Sequence, residues 1–486
     1  MTFFPEPLDL CLLLPMNSEI SKQFYHSKIL VVAKIFSLLV CLFSFNACLL
    51  NPIVQCILFP EKDPSRNSLF ALWALLSNSN SVVELNRTWA GVYKGDSLQL
   101  EAQYYLYGNK TDTVFQWTSS NESVATVSPT GLVQSIGNGK IIITATTADG
   151  KASATSAITV YSGYLYVSLD DMSTVGFLTM NHTTGALTSF ATYSTGAGTG
   201  PTGIGVDPFG KFLFTGNFYS GTISQFLINQ TTGALTSNTP SFLTDEASPR
   251  NLVITPDGKY LYLASEGTSA IRAFSINANG TLTFIASYST DIGHSQIQIS
   301  RNGNFIFYMG TLVTEMTSYR INYANGTLSH ASTSPSFPND GSGHVSTHPN
   351  GNYIYVSSVP AVTIFSFDEN TGNMSFVDSV FHGLSINSTA IHPSGLFYYL
   401  LHINEGIISC YTVDPKSGKI SYSSNVTGYT PGNLRFMVID PTGRFAYAAD
   451  INAANLLQFS INQTTGALTF LGNVNPGGNP WNLTFL

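Results

Sequence analysis

Apolar and polar positions alternate along most of the chain. From about Ser81 onward the apolar residues come in short period-two runs closed by Gly, Asn or Asp, which predicts strands buried on one face. NLVIT, YLYLA, AIRAFSI and LTFIASY, between residues 251 and 288, are four such strands in succession. The first 80 residues differ. Residues 29–45 (ILVVAKIFSLLVCLFSF) are almost continuously apolar, whereas 49–80 hold no clean strand period and predict one short apolar helix near Leu69–Leu76.

The strand pattern repeats, and a fixed period decides architecture before any motif does. One unit is a turn, NHTTGALT in its first copy and NQTTGALT in its last. Its seven glycines, Gly185, Gly233, Gly280, Gly326, Gly372, Gly418 and Gly466, are spaced 46 to 48 residues apart. The other unit is a glycine followed by an aromatic-rich strand, from SGYLYVS to TGRFAYAA. Its glycines also number seven: Gly163, Gly210, Gly258, Gly303, Gly351, Gly395 and Gly443. Four strands per repeat, seven times over, predict a seven-bladed β-propeller. The first repeat opens at YLYVS without an innermost strand, and the chain ends on NPWNLTFL, which resembles the innermost segment PRNLVIT. The C-terminal strand is therefore expected to complete the first blade, closing the ring and removing exposed sheet edges.

Composition narrows the function classes. Only 10% of the 486 residues are charged, against a usual ~25%, and the balance of 20 basic to 28 acidic residues gives −8. Disorder is excluded over most of the length, and so acidic a chain carries no nucleic-acid footprint. Of five cysteines, Cys11, Cys41, Cys48 and Cys56 lie near the start and Cys410 in a strand-like run, so no disulfide framework and no zinc spacing exist. No phosphate-binding loop and no GxSxG elbow occur. Neither a cofactor nor a metal is expected.

Lys22 and Lys28 precede the apolar stretch, whose uninterrupted core, Ile35–Phe45, is 11 residues and too short to span ~30 Å of hydrocarbon. The stretch reads as an export signal. Its end, Phe45-Asn46-Ala47-Cys48, resembles a bacterial lipobox, which implies lipidation of Cys48 and an envelope anchor; a plain signal peptide or an uncleaved anchor is the alternative. Met16 is an alternative start. The expected division is 1–48 signal segment, 49–80 tether, 81–160 first β domain and 161–486 propeller.

Within 81–160, Gly95 opens GDSLQLEAQY, and Trp117, Val124–Val127, Gly131-Leu132-Val133, Gly139 and Ile143-Thr144-Ala145 follow. This series resembles the bacterial Ig-like group 2 domain, implying a small β-sandwich with GDSLQLEAQY as its second strand, Trp117 in its core and a role as spacer or adhesion module. The predicted fold class is thus all-β, an Ig-like sandwich followed by a seven-bladed propeller closed by the C-terminal strand.

The propeller resembles the lactonase-type family, the 6-phosphogluconolactonase-like and YVTN-repeat proteins. SPRNLVITPDGKYLYLASEG carries the likeness: Arg250 and Glu266 fall on the family arginine and glutamate, whereas Asn251 stands at the family histidine and Ser265 replaces the Asn before the glutamate. His344 has the histidine's offset in another blade. The starts of inner strands and the ends of the strands that follow share one rim, so Asp170, Asn217, Arg250, Asn251, Glu266, His294, His344, His402, Arg435, Asp450 and Trp481 are the candidate rim. Arg250 and Arg435 suit a carboxylate or phosphate, and His348, His392, Asp207 and Asp440 read as turn residues before Pro. The resemblance implies a lactonase in which Arg250 orients the ester while Glu266 or a histidine such as His344 activates water. The leading expectation is a monomeric binding platform for a protein or carbohydrate, displayed from the membrane on the Ig-like spacer, and the lactonase is the alternative.

Overall fold

The computed structural model describes residues 81–486 except 239–241, 244–247, 291–295, 311–312, 339–342, 404 and 431. The export segment with Cys48, the tether with its expected helix, and His294 lie outside the described residues. All regular structure among the described residues is β, and no helix there is long and apolar enough to cross a membrane.

Residues 81–161 form three small sheets. The largest joins Trp89–Tyr93, Ser153–Tyr161, Gly139–Thr147 and Phe115–Ser119. Leu100, Val124, Val133, Ile141, Ile143 and Ile158 are buried between the layers, with Trp117 packed partly buried against them. Gly131 has φ +83°, and a Cβ on it would stand 2.5 Å from the Leu100 carbonyl oxygen and 2.8 Å from the Trp117 ring. One expectation is corrected. GDSLQLEAQY is not one strand: Ser97–Gln99 pairs with Leu132–Ser135, while Ala102–Leu106 pairs with Ser81–Leu85. The chain changes sheets at Leu100, which is fully buried and donates its N–H to the Gly131 carbonyl, so the alternation continues across a break in pairing.

Seven sheets follow, one per repeat. In the first, Tyr164–Leu169 pairs on one side with Thr174–Met180 and on the other with the C-terminal strand Pro480–Phe485. The third repeat has strands Pro249–Ile254, Tyr260–Ser265, Ala270–Ile276 and Leu282–Ser289, close to the four segments expected.

The two repeat units meet between blades. Gly233 of blade 2 lies on Tyr164 of blade 1, so close that a Cβ would be 2.7 Å from the ring. The same seat recurs from Gly280 on Phe212 through Gly326 on Tyr260 to Gly185 of blade 1 on Phe445 of blade 7. Beside it a buried tyrosine donates to the glycine carbonyl: Tyr166 to Gly233 at 2.7 Å, Tyr262 to Gly326 at 3.0 Å, Tyr399 to Gly466 at 2.8 Å and Tyr447 to Gly185 at 2.6 Å. Burial pushes the Tyr262 and Tyr447 hydroxyls far above the ordinary phenol range, so they remain donors.

The Ig-like domain sits on one face of the propeller. The strand Ser153–Tyr161 runs through Ser162 and Gly163 into Tyr164–Leu169, and Ser162 donates to Asn138 at 2.7 Å. Gly91 lies against the Pro441 backbone, where a Cβ would be 2.2 Å from the carbonyl carbon. The Trp89 and His392 rings meet edge-on at 5.7 Å, and Tyr93 stacks on His182 at 4.7 Å. Pro441 and His392 lie in turns that end inner strands, so the covered face is opposite the one where those strands begin.

Candidate functional site

The face where the inner strands begin is shaped by a device that alternation cannot reveal. In five blades the register slips at the start of the inner strand, against Leu169/Ser168 in blade 1 and at 201/203, 249/251, 386/388 and 434/437 in blades 2, 3, 6 and 7. Such bulges turn the extra residue out of the ladder. The residues so released include Trp481, Arg250 and Arg435, and these three converge.

The Arg435 guanidinium lies 4.7 Å from the Trp481 ring centroid and that of Arg250 lies 5.6 Å from it; Arg250 also sits 4.1 Å over Phe218. The Arg250 Nε donates to Glu266 Oε2 at 2.5 Å, with both side chains mostly buried. Backbone geometry reinforces the pair. Ser248, which precedes Pro249, holds φ +78°; it donates to the Phe218 carbonyl and accepts from the Glu266 N–H at 2.9 Å each. A non-glycine residue in the left-handed region costs on the order of 1–3 kcal/mol and persists only where the surroundings over-determine it. Here it locks blade 2 to blade 3 beneath Arg250.

Asp170 completes the group. Its Oδ1 is buried without a hydrogen-bond partner, and Tyr219 and Gly200 lie against it. Burial and the neighbouring Asp171 raise its pKa above the ordinary carboxylate range, only partly offset by Arg250, the Tyr219 hydroxyl and Arg435. Arg435 is in turn lowered by burial and by Arg250. The site thus holds two cations around one aromatic ring and a carboxyl group of enhanced basicity, contributed by blades 7, 1, 2 and 3.

Other expected rim residues are engaged elsewhere. Asn251 donates to Gln296 at 3.3 Å. Asn217 is fully buried and bonded to Thr215, Thr222 and Ser224. His344 is buried, its Nδ1 2.8 Å from the Thr389 hydroxyl and its ring 5.9 Å from Phe436, which reaches past blade 6 to blade 7. His402 bonds Ser409 at 2.9 Å. Burial lowers both histidines to about 4, so both are neutral near pH 7. Asp450 accepts from the N–H groups of Asn433 and Ala453. The turn residues behave as such: His348 contacts the Gly395 carbonyl at 2.9 Å, His392 that of Gly443 at 2.8 Å, and Asp207 and Asp440 accept backbone N–H bonds. Sequence reasoning misses Phe218, Tyr219 and Ser248, whose only signal is a position one or two residues past the strand Phe212–Asn217 or just before Pro249. Among the described residues no group of three His, Cys, Asp or Glu side chains is placed to hold a metal ion.

The bulged inner strands thus present two guanidiniums and a tryptophan ring, and Asp170 joins them from the end of the strand Tyr164–Leu169. Comparison gives the family. The lactonase seven-bladed β-propeller family matches residues 239–385 and 315–485, together just over half of the chain, and the chain belongs to it. Residues 82–158 match the bacterial Ig-like domain of group 2. Similar solved structures include the Pseudomonas aeruginosa periplasmic gluconolactonase PpgL, with 19% identity and TM-score 0.59 over 66% of this chain and 98% of that one. A provisionally assigned 6-phosphogluconolactonase from Bacteroides fragilis shares 18% identity with TM-score 0.59, over 66% of this chain and 97% of its own. At such identities the likeness is one of fold. No curated protein sequence matches.

Proposed function

We propose that the propeller hydrolyses a sugar lactone, with Asp170 as general base and Arg250 and Arg435 as the electrophilic clamp. The observation that carries this reading is Asp170 Oδ1, buried with no hydrogen bond of its own on a carboxyl group that the Tyr219 hydroxyl bonds and that Arg250 and Arg435 attract. Asp170 takes a proton from water as its oxygen attacks the lactone carbonyl. The guanidiniums receive the developing oxyanion. The ring C–O bond then breaks, Asp170 returns the proton to the leaving ring oxygen, and the hydroxy acid formed releases its remaining acid proton to solvent, leaving a carboxylate paired with arginine. Glu266 orients Arg250, and Trp481 separates the two cations. In this scheme Asp170 fills the place that the missing family histidine leaves at Asn251, and His344 has no part.

An unphosphorylated aldonolactone fits an exported chain better than a phosphorylated one, because sugar phosphates are cytoplasmic. Purified full-length protein is expected to open glucono-δ-lactone faster than 6-phosphogluconolactone; the reverse order would reassign the arginines to a phosphate. The binding-platform reading draws support from the Arg250–Glu266 pair, which occupies one cation internally. Absence of turnover on either lactone would favour that reading.

Anchoring through Cys48 belongs to the same proposal. Metabolic labelling with palmitate is expected to mark the wild-type chain in membranes and to be lost in Cys48→Ala; label retained by that variant would refute the anchor.

A further inference from the structure

A cavity of about 610 Å³ lies at blade 7, on the face where the inner strands begin. This is an ordinary size for a small-ligand site. The residue beneath it differs from its counterparts in blades 1 and 2. In blade 1 the third residue of the third strand is Gly176, and the carbonyl oxygen of Pro476, in the connection to the inner strand, lies 2.7 Å from where its Cβ would be. In blade 2 the matching Ser224 donates to the Thr195 carbonyl of the corresponding connection at 3.0 Å. Blade 7 has Leu457 there, which has the bulk to exclude a carbonyl and no group to bond one. The connection around Gly428–Thr430 instead stands off over Leu457, held by the Tyr429 hydroxyl bonded to the Gly406 carbonyl at 2.7 Å and by the Tyr429 ring against Phe459.

The lining is chemically specific. Asp450 is 2% exposed. Its Oδ1 accepts the N–H groups of Asn433 and Ala453, while Oδ2 takes no hydrogen bond among the described residues. Gly432 packs against one side of that carboxylate, where a Cβ would fall 1.9 Å from Oδ2. The side-chain amides of Asn452, Asn455 and Asn473 line the same cavity and bond to no described residue, and Tyr429 and Phe470 supply its apolar side. A carboxylate oxygen, three uncommitted amides and an aromatic wall match a neutral saccharide: hydroxyls donate to the carboxylate, amides bridge neighbouring hydroxyls, and aromatic rings cover C–H faces.

We propose that this cavity binds a neutral saccharide, independently of the lactone site. Full-length protein would be titrated with maltotriose, cellotriose and N,N′-diacetylchitobiose by saturation-transfer NMR and calorimetry, alongside Asn455→Ala/Asn473→Ala. Saturable binding of at least one saccharide is expected, weakened tenfold or more in the double variant, with thermal stability and lactone turnover both unchanged. No saturable binding to any of the three, or binding that the double variant retains, would overturn the proposal. So would binding of choline chloride in place of the saccharides, which would make Asp450 a site for an organic cation.

Discussion

Asp170 and the two arginines are neighbours only because backbone irregularities put them there. A period-two pattern assigns each inner-strand residue to one face or the other, and it fixed Arg250 and Arg435 as rim candidates by their offset from a turn glycine. It could not show that the ladder slips at both positions, nor that Phe218 and Ser248 would hold the released side chain. Histidine was the sequence's natural choice for acid–base chemistry, yet burial holds His344 and His402 neutral while it strengthens Asp170 as a base. This has a pH consequence. Protonation of Asp170 removes the base, so kcat/KM for the lactone is expected to fall as pH drops through a value above the ordinary aspartate pKa of about 3.9. A profile flat from pH 7 to pH 4 would remove Asp170 from that role.

At the scale of elements, blade-to-blade locking accounts for both repeat units. The sequence displays seven turn glycines and seven aromatic strands as separate repeats, and a repeat count is enough to read off the propeller. It does not disclose that each glycine is seated on the preceding blade's aromatic ring, because that contact crosses a distance of some 60 residues or more in the chain. Tyr262→Phe leaves the Gly326 carbonyl without its buried donor and is expected to destabilise by about 1–3 kcal/mol in urea unfolding. Gly326→Ala places a Cβ 2.4 Å from the Tyr260 ring at φ +74° and is expected to cost more than Tyr262→Phe. Equal or reversed effects would mean that the glycine seat contributes little to the interface. The strand GDSLQLEAQY teaches the complementary lesson: alternation continued through Leu100 although the hydrogen-bonding partner changed, so burial was legible and pairing was not.

For the whole molecule, the Ig-like domain and the propeller are in contact at Gly91, Trp89 and Tyr93, on the face away from Arg250. The proposed lactone site and the blade 7 cavity thus lie on the propeller face that the Ig-like domain does not touch. Gly91→Leu forces a side chain into the Pro441 backbone and is expected to split thermal unfolding into two resolved calorimetric transitions without changing lactone turnover. A single unchanged transition would show that the two domains are coupled elsewhere.

The most direct test of the central claim is the rate of glucono-δ-lactone opening by purified full-length protein, compared with Asp170→Asn and Arg250→Ala/Arg435→Ala. The account predicts turnover well above the spontaneous rate, a loss of roughly 10²-fold or more in kcat/KM for Asp170→Asn with the fold intact, and a comparable loss for the arginine pair. Hydrolysis no faster than in buffer, or an Asp170→Asn variant as active as the wild type, would contradict it.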